Sequence, residues 1–126
     1  MRTLGLVFGL LAAGSAAAAT PSEILKDFEA TGAAAPSAQR GERFFNARHA
    51  GDLSCASCHT ANPLEKGRHA RTGKTIAPLA PAANPERFAD AARVEKWFRR
   101  NCNDVLERAC SAQEKADVLA YLMSLR

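Results

Sequence analysis

Apolar residues recur every three to four positions in several segments of this chain, which is the spacing of an amphipathic helix. Near the N-terminus, Ile24, Leu25 and Phe28 follow this spacing. A second helix is predicted over about 38–48, with Ser37 as its N-cap. No segment shows the strict alternation of a β-strand, so the pattern predicts an all-α fold.

The C-terminal half contains further helix signals. An Asn-Pro pair opens a predicted short helix over 85–89, and Asp90 is the predicted N-cap of a longer helix over about 91–101. A short turn or helix is expected over 104–108. The sequence Ser111-x-x-Glu114 is a capping box, which predicts the start of a last helix.

Residues 50–83 show no sustained periodicity and contain three glycines and three prolines. More than thirty irregular residues are unusual in a small domain unless the loop has a function. We therefore expect this segment to wrap around a cofactor.

The first nineteen residues predict export from the cytoplasm. Arg2 precedes an apolar run from Leu4 to Ala13, and small residues then lead to Ala19. This is the layout of a secretory signal peptide, with cleavage expected after Ala19. The run is short for a bilayer core of about 30 Å, although an uncleaved anchor is the alternative. The prediction is a periplasmic protein with one domain over 20–126 and no membrane anchor once the leader is removed.

Removal of the leader leaves 107 residues with sixteen basic and thirteen acidic side chains. A net charge of +3, taken as evenly spread, is weak for the basic stripe of a nucleic-acid-binding protein, so no nucleic-acid partner is expected. Seven aromatic side chains remain, and alanine is abundant. A core so poor in large side chains favours a hydrophobic cofactor that helps to fill it.

The sequence Cys55-Ala-Ser-Cys58-His59 carries the chemistry. Cys-x-x-Cys-His is the attachment signature of a c-type haem, in which two thiols bond to one porphyrin and the adjacent histidine ligates the iron. A thioredoxin-like dithiol normally follows a βαβ pattern, and a zinc site needs two more ligands at ordered spacing. The single motif therefore predicts one covalent haem, with His59 as the proximal ligand.

The ligand on the other side of the iron is not evident from the motif. Most electron-transfer cytochromes of this type use methionine. Met1 belongs to the leader, and Met123 lies near the C-terminus on the helix expected to pack against the N-terminal helix. His49 and His69 are weaker alternatives, and an open five-coordinate iron is another.

Asn101 is a further candidate for this position. Val94, Trp97, Phe98 and Asn101 share one helical face, which holds the largest apolar cluster of the chain after the leader. That face should point at the core or the haem. The alternative is that Asn101 is a helix C-cap, since asparagine tolerates a left-handed backbone, and the pattern alone favours the cap.

Two sets of residues resemble known cytochromes. Gly41-x-x-x-Phe45, with Tyr121 or Leu122 in the last helix, resembles class I cytochromes c, whose terminal helices cross at the glycine. The run 84–102 together with Cys110 and 114–122 resembles the sphaeroides haem protein (SHP) family, which comprises small, exported, high-spin c-type cytochromes. The resemblance implies a class I-like helical fold around one haem.

The SHP resemblance also implies roles for three residues. An asparagine directly before a cysteine is the distal ligand in that family, which corresponds to Asn101. The following cysteine forms a disulfide with one eight residues later, which corresponds to Cys102 and Cys110. An oxidising compartment favours the same pairing for the two cysteines that the haem does not use. A disulfide that changes redox state with the iron is a further hypothesis.

Other side chains near the haem are weaker candidates. Trp97 could donate a hydrogen bond to a haem propionate or simply belong to the core. Pro78 or Pro81 could offer a carbonyl to the proximal imidazole, since such partners orient a ligand. The basic loop residues Arg68, Arg71 and Lys74 could pair with propionates, face a redox partner or be solvated.

The leading functional hypothesis is a cytochrome whose amide ligand leaves on reduction and opens a site for O₂, NO or CO, because an amide suits ferric better than ferrous iron. The resemblance implies possible oxygen reductase or nitric oxide dioxygenase-like reactions. It also implies electron supply by a dihaem cytochrome c and a membrane b-type cytochrome. The alternative is a simple electron carrier whose distal ligand only tunes the potential.

Overall fold

The computed structural model describes residues 17–126, so the predicted leader lies almost entirely outside the described residues. Within 17–126, no helix is long and apolar enough to cross a bilayer. The elements in chain order are α1 (Pro21–Ala30), α2 (Ala38–Asn46), a 3₁₀ turn (Ala50–Asp52), α3 (Ala56–His59), β1 (Gly67–Arg68), β2 (Thr75–Ile76), a second 3₁₀ turn (Pro85–Phe88), α4 (Ala91–Leu106) and α5 (Ala112–Ser124).

Side-chain caps fix the starts of the main helices. Thr20 and Glu23 form a capping box at α1, in which the Thr20 backbone N–H donates to the Glu23 carboxylate at 2.7 Å. The predicted cap Ser37 begins α2, and the capping box of Ser111 and Glu114 begins α5. These local hydrogen bonds satisfy backbone donors that have no partner within the helix.

α2 and α5 cross at Gly41. A Cβ atom at this position would overlap the Asp117 backbone carbonyl, so only glycine lets the helices approach this closely. Phe45 is almost completely buried, and its ring centroid lies 5.6 Å from that of Tyr121. The predicted crossing of a class I cytochrome c-like fold is confirmed.

A buried carboxylate stabilises the same helix crossing through hydrogen bonds. Asp117 accepts hydrogen bonds from the Ser37 backbone at 2.7 Å, the Arg40 side chain at 2.8 and 2.9 Å, and the Gln113 amide at 3.0 Å. Burial acts to raise the pKa of Asp117, but these donors outweigh it and the pKa is lowered. The carboxylate thus stays charged and joins α2, α5 and the turn before α2.

α4 is longer than the sequence pattern indicated. The prediction that it ends near Asn101 is wrong, because the helix continues to Leu106 and Glu107 is its left-handed C-cap. The extra turn buries Cys102, Val105 and Leu106 in a small cluster of their own. Burial of this turn against residues distant in sequence explains the continuation, and it excludes the C-cap role for Asn101.

The segment expected to be irregular contains a small hairpin. β1 pairs with β2 in antiparallel register, Gly67 with Ile76 and Arg68 with Thr75, so the prediction of no strand missed this element. Gly67 packs against the backbone at Cys58, where a Cβ atom would overlap the Cys58 carbonyl. The hairpin therefore lies directly against the Cys-x-x-Cys-His motif.

Candidate haem site

The motif occupies a single short helix. α3 begins after Cys55 and ends at Thr60, whose φ of 62° breaks the helix. Just before it, Ser54 and Ser57 exchange hydrogen bonds, each backbone N–H donating to the other's hydroxyl at 2.9 and 3.1 Å. These bonds hold Cys55, Cys58 and His59 on one rigid turn.

Burial shifts the pKa of two motif side chains. It raises the pKa of the Cys55 thiol to about 11, so before haem attachment this thiol is neutral at physiological pH. Burial, with the nearby charge of Arg87 as a smaller cause, lowers the pKa of His59 to about 4. His59 is therefore neutral, and neutral imidazole is the form that ligates a metal.

A large cavity opens beside α3. Its volume is about 570 Å³, within the range of about 300–1,000 Å³ that is typical of sites for small molecules and cofactors. Cys55, Cys58 and His59 lie in its lining with Asn101 from α4. Apolar side chains between α2 and α5 form much of the lining, among them Phe44, Phe45, Leu53, Ile76, Leu79, Phe88, Val94, Phe98, Val105, Val118 and Leu122. These residues fit a covalently attached haem.

Asn101 lies within α4, one turn after Trp97, and both contribute to the cavity. The Cys102 thiol is joined to that of Cys110 in a disulfide, with 5.6 Å between their Cα atoms. The predicted pairing is therefore present, directly after Asn101. The disulfide also borders the cavity.

The alternative ligands are arranged differently. Met123 and His49 do not line the cavity; the His49 ring donates from Nε2 to the Phe44 carbonyl at 2.9 Å. His69 does line it, but its Nδ1 accepts the backbone N–H groups of Arg71 and Thr72 at 3.3 and 3.2 Å. Asn101 is thus the candidate that combines a place in the cavity with a side chain free of such local bonds.

Arg87 is a cavity residue that the sequence analysis did not identify. It is half-buried, and its guanidinium donates to the Pro78 carbonyl at 3.0 Å and to the Ala77 carbonyl at 2.6 Å. Asn84 donates to the same Pro78 carbonyl at 3.2 Å. Both lone pairs of this oxygen are occupied, so the idea that Pro78 orients the His59 imidazole is not supported. An arginine two residues after Asn84-Pro85 was the one available signal.

Trp97 lies at the mouth of the cavity. Its side chain is 45% exposed, and no other large hydrophobic residue within 17–126 is exposed. The Arg100 guanidinium lies 5.6 Å from its ring centroid. The helical periodicity placed Trp97 on the core face, whereas the structure places it at the edge of that face. Core packing therefore does not account for it.

Comparison with known proteins agrees with this architecture. The model of a family described as a domain of unknown function (DUF1924) matches residues 31–122. The cytochrome c-type protein SHP of Cereibacter sphaeroides is 45% identical over 123 residues, which cover 93% of this chain and 95% of that protein. The chain belongs to the SHP and cytochrome c″ family.

Two solved structures of this family have the same fold. Oxidized SHP, described as an oxygen-binding cytochrome c, has a TM-score of 0.75 at 46% identity and covers 82% of this chain and 95% of its own. The solution structure of cytochrome c″ from Methylophilus methylotrophus has a TM-score of 0.70 at 39% identity and covers 82% and 92%. The resemblance noted in the sequence is confirmed, and the cofactor is one covalently attached haem c.

Proposed function

We propose that this protein is a periplasmic monohaem cytochrome that accepts electrons and, on reduction, releases Asn101 so that a diatomic gas can bind. The observation that supports this most strongly is that Asn101 and His59 line the same cavity. When bound, the haem supplies an iron that takes up one electron and a small gas such as O₂, NO or CO. The remaining steps are the work of side chains.

Cys55 and Cys58 would hold the haem through their thiols, and His59 would ligate the iron from α3. The buried, neutral state of His59 suits that role at physiological pH. Asn101 would provide a second protein ligand to the iron, from α4. A neutral amide oxygen is a hard, weak ligand, so its attachment to the metal should weaken when the iron becomes ferrous.

The disulfide would limit how far Asn101 moves after release. Cys102 is buried and bonded to Cys110, which precedes α5. Cys102, the residue after Asn101, is therefore held both by α4 and by the disulfide bond. We infer that rotation of the Asn101 side chain, rather than displacement of α4, opens the gas site.

The relatives support a gated site. SHP is described as oxygen-binding, and the cytochrome c″ structure is described in terms of haem-ligand detachment. In this chain the same behaviour would require a donor, for which we propose a dihaem cytochrome c supplied by a membrane b-type cytochrome. Turnover of O₂ or nitric oxide at the open site, as a reductase or a dioxygenase-like enzyme, is part of the same proposal.

A simple electron carrier is the second candidate. The unbroken helix around Asn101 favours it, because regular helical hydrogen bonding holds the backbone of this residue fixed. In that case Asn101 would stay in place in both redox states and only tune the potential.

Carbon monoxide binding separates the two functions. The test uses the reduced holoprotein, with Asn101→Ala and the matched control Asn103→Ala, which changes an exposed asparagine of the same helix. If Asn101 leaves on reduction, the wild-type protein and both variants bind CO at similar rates, and only Asn101→Ala changes the ferric spectrum. A ferrous wild-type protein that ignores CO while Asn101→Ala binds it would establish the electron carrier instead.

A further inference from the structure

The charge of the protein is concentrated in two segments. Residues 66–74 contain four basic side chains and no acidic one, and residues 93–100 contain four basic side chains and one acidic. Together the two segments carry +7, whereas the rest of 20–126 carries −4. The assumption of an evenly spread +3 is therefore wrong, and the molecule has a strongly basic region.

The fold brings side chains of both segments into the lining of the same cavity. Arg71 and Lys74 contribute from the hairpin of β1 and β2, and Arg93 and Arg100 contribute from α4. All four are exposed. Among the ion pairs of residues 17–126, only Arg93 of these four has a carboxylate partner, at 3.9 Å. The mouth of the cavity is thus flanked by cations that intramolecular pairing leaves largely unsatisfied.

The haem would offset only part of this charge. Its two propionates carry two negative charges, and the half-buried Arg87 adds a fifth cation to the four at the mouth. Glu86 and Asp104 are the acidic residues in the lining. The two segments also contain four basic residues that do not line the cavity, Lys66, Arg68, Lys96 and Arg99, so the segments stay positive with the cofactor present.

Trp97 lies within the second basic segment and lines the cavity with cations of both segments. Tryptophan and arginine are the residues most enriched at the energetic centres of protein interfaces. Here Trp97 is exposed, and Arg100 lies against its ring, which holds both side chains in place without burying either. An exposed aromatic side chain among exposed cations forms a surface suited to a negatively charged protein partner.

We propose that this mouth, defined by Arg71, Lys74, Arg93, Trp97 and Arg100, is the docking surface of an acidic one-electron donor protein. The inference rests on the proposed electron acceptance and adds the entry point and the chemistry of the partner. One electron leaves the donor, which is oxidised, and reduces the ferric iron to ferrous. A protein is favoured over an anionic membrane because the cations come from two separate segments and line the opening of a cavity around one exposed tryptophan.

Stopped-flow reduction of the ferric holoprotein by a fully reduced acidic flavodoxin tests the proposal. The variant Lys74→Glu/Arg100→Glu reverses one charge in each of the two basic segments at the mouth. The control Lys26→Glu/Arg43→Glu makes the same net change on exposed residues of α1 and α2 that do not line the cavity. Electrostatic steering changes association rates by about 10- to 1,000-fold. We expect at least a tenfold loss at low salt for the mouth variant and less than a threefold loss for the control.

Salt supplies a second discriminating result. The Debye screening length is about 8 Å at physiological ionic strength and becomes shorter as salt is added. Raising the salt should therefore slow reduction of the wild-type protein and of the control, but not of the mouth variant. Equal losses in the two variants would show that net charge alone guides the donor, and the docking surface would be rejected.

A binding readout that does not depend on electron transfer uses the single tryptophan. Its one indole N–H resonance in the holoprotein should shift on titration with oxidised flavodoxin and fail to shift in the mouth variant. An unmoved resonance, or cosedimentation with phosphatidylglycerol vesicles in place of flavodoxin binding, would overturn the proposal. Carbon monoxide binding measured on the same variants reports the gas site independently, so loss of docking and loss of gas binding are distinguishable.

Discussion

The helix crossing and the haem cavity differ in how many of their apolar, hydrogen-bonding and charged groups find partners within the chain. At the crossing of α2 and α5, Gly41 allows backbone contact, Phe45 is buried, and every donor around Asp117 has its partner. At the cavity, Asn101 and Trp97 remain exposed, and within residues 17–126 only Arg93 of the four cations at the mouth has a carboxylate partner. One region is complete as protein, and the other is shaped for groups that the chain does not supply.

Removal of haem attachment should break this contrast most strongly. We expect Cys55→Ala/Cys58→Ala to lose covalent haem and with it the packing of the cavity walls, because the apolar lining would then face water. Hydrogen exchange should show α4 losing protection while α2 and α5 retain measurable protection. A pyridine haemochrome assay verifies the loss of haem, and uniform loss of protection in all three helices would contradict the independence of the crossing.

A substitution at the crossing of α2 and α5 should weaken that region while the cavity residues stay unchanged. Gly41→Ala places a methyl group where the Asp117 backbone lies, and such overpacking costs about 1–3 kcal/mol. Denaturant unfolding of the holoprotein measures this loss. Glu42→Ala, an exposed neighbour on α2, is the control and should change the free energy of unfolding by less than about 0.5 kcal/mol. Equal effects of the two substitutions would remove the special role of Gly41.

Acid should weaken the crossing by a smaller amount. The pKa of Asp117 is lower in the folded protein than its unfolded value of 3.8, so its charged form contributes stability above that value. This contribution disappears as the pH falls through the folded pKa. Between about pH 6 and pH 3, the free energy of unfolding of Asp117→Asn should therefore fall less than that of the wild-type protein. Parallel pH profiles would show that Asp117 does not couple folding to protonation.

Features set by neighbouring residues could be predicted from the sequence. The caps Ser37 and Ser111, the glycine at the helix crossing and the Cys-x-x-Cys-His motif each depend on a few adjacent positions. The role of Asn101 as a ligand stays a prediction, drawn from helical periodicity, the count of other ligands and a family resemblance. The disulfide followed from the family resemblance and from the two cysteines that the haem leaves free.

Features that depend on distant contacts could not be predicted. α4 continues past Asn101 because Val105 and Leu106 are buried beside residues such as Leu53, which is far away in sequence. The hairpin has only two residue pairs, too few to produce an alternating pattern. The bond from Arg87 to Pro78, and the meeting of two basic segments at one opening, appear only once the chain is folded.

The capping box at α1 has a consequence for export. If the leader is cleaved after Ala19, the nitrogen of Thr20 becomes the terminal ammonium group, and the Glu23 carboxylate already lies 2.7 Å from it. A hydrogen bond would thereby become an ion pair, offsetting the repulsion between a positive terminus and the positive end of the helix. The bond from Ala19 to the Ala89 carbonyl would be lost in exchange. The mature protein would then begin at a helix cap, with no loose segment ahead of its first helix.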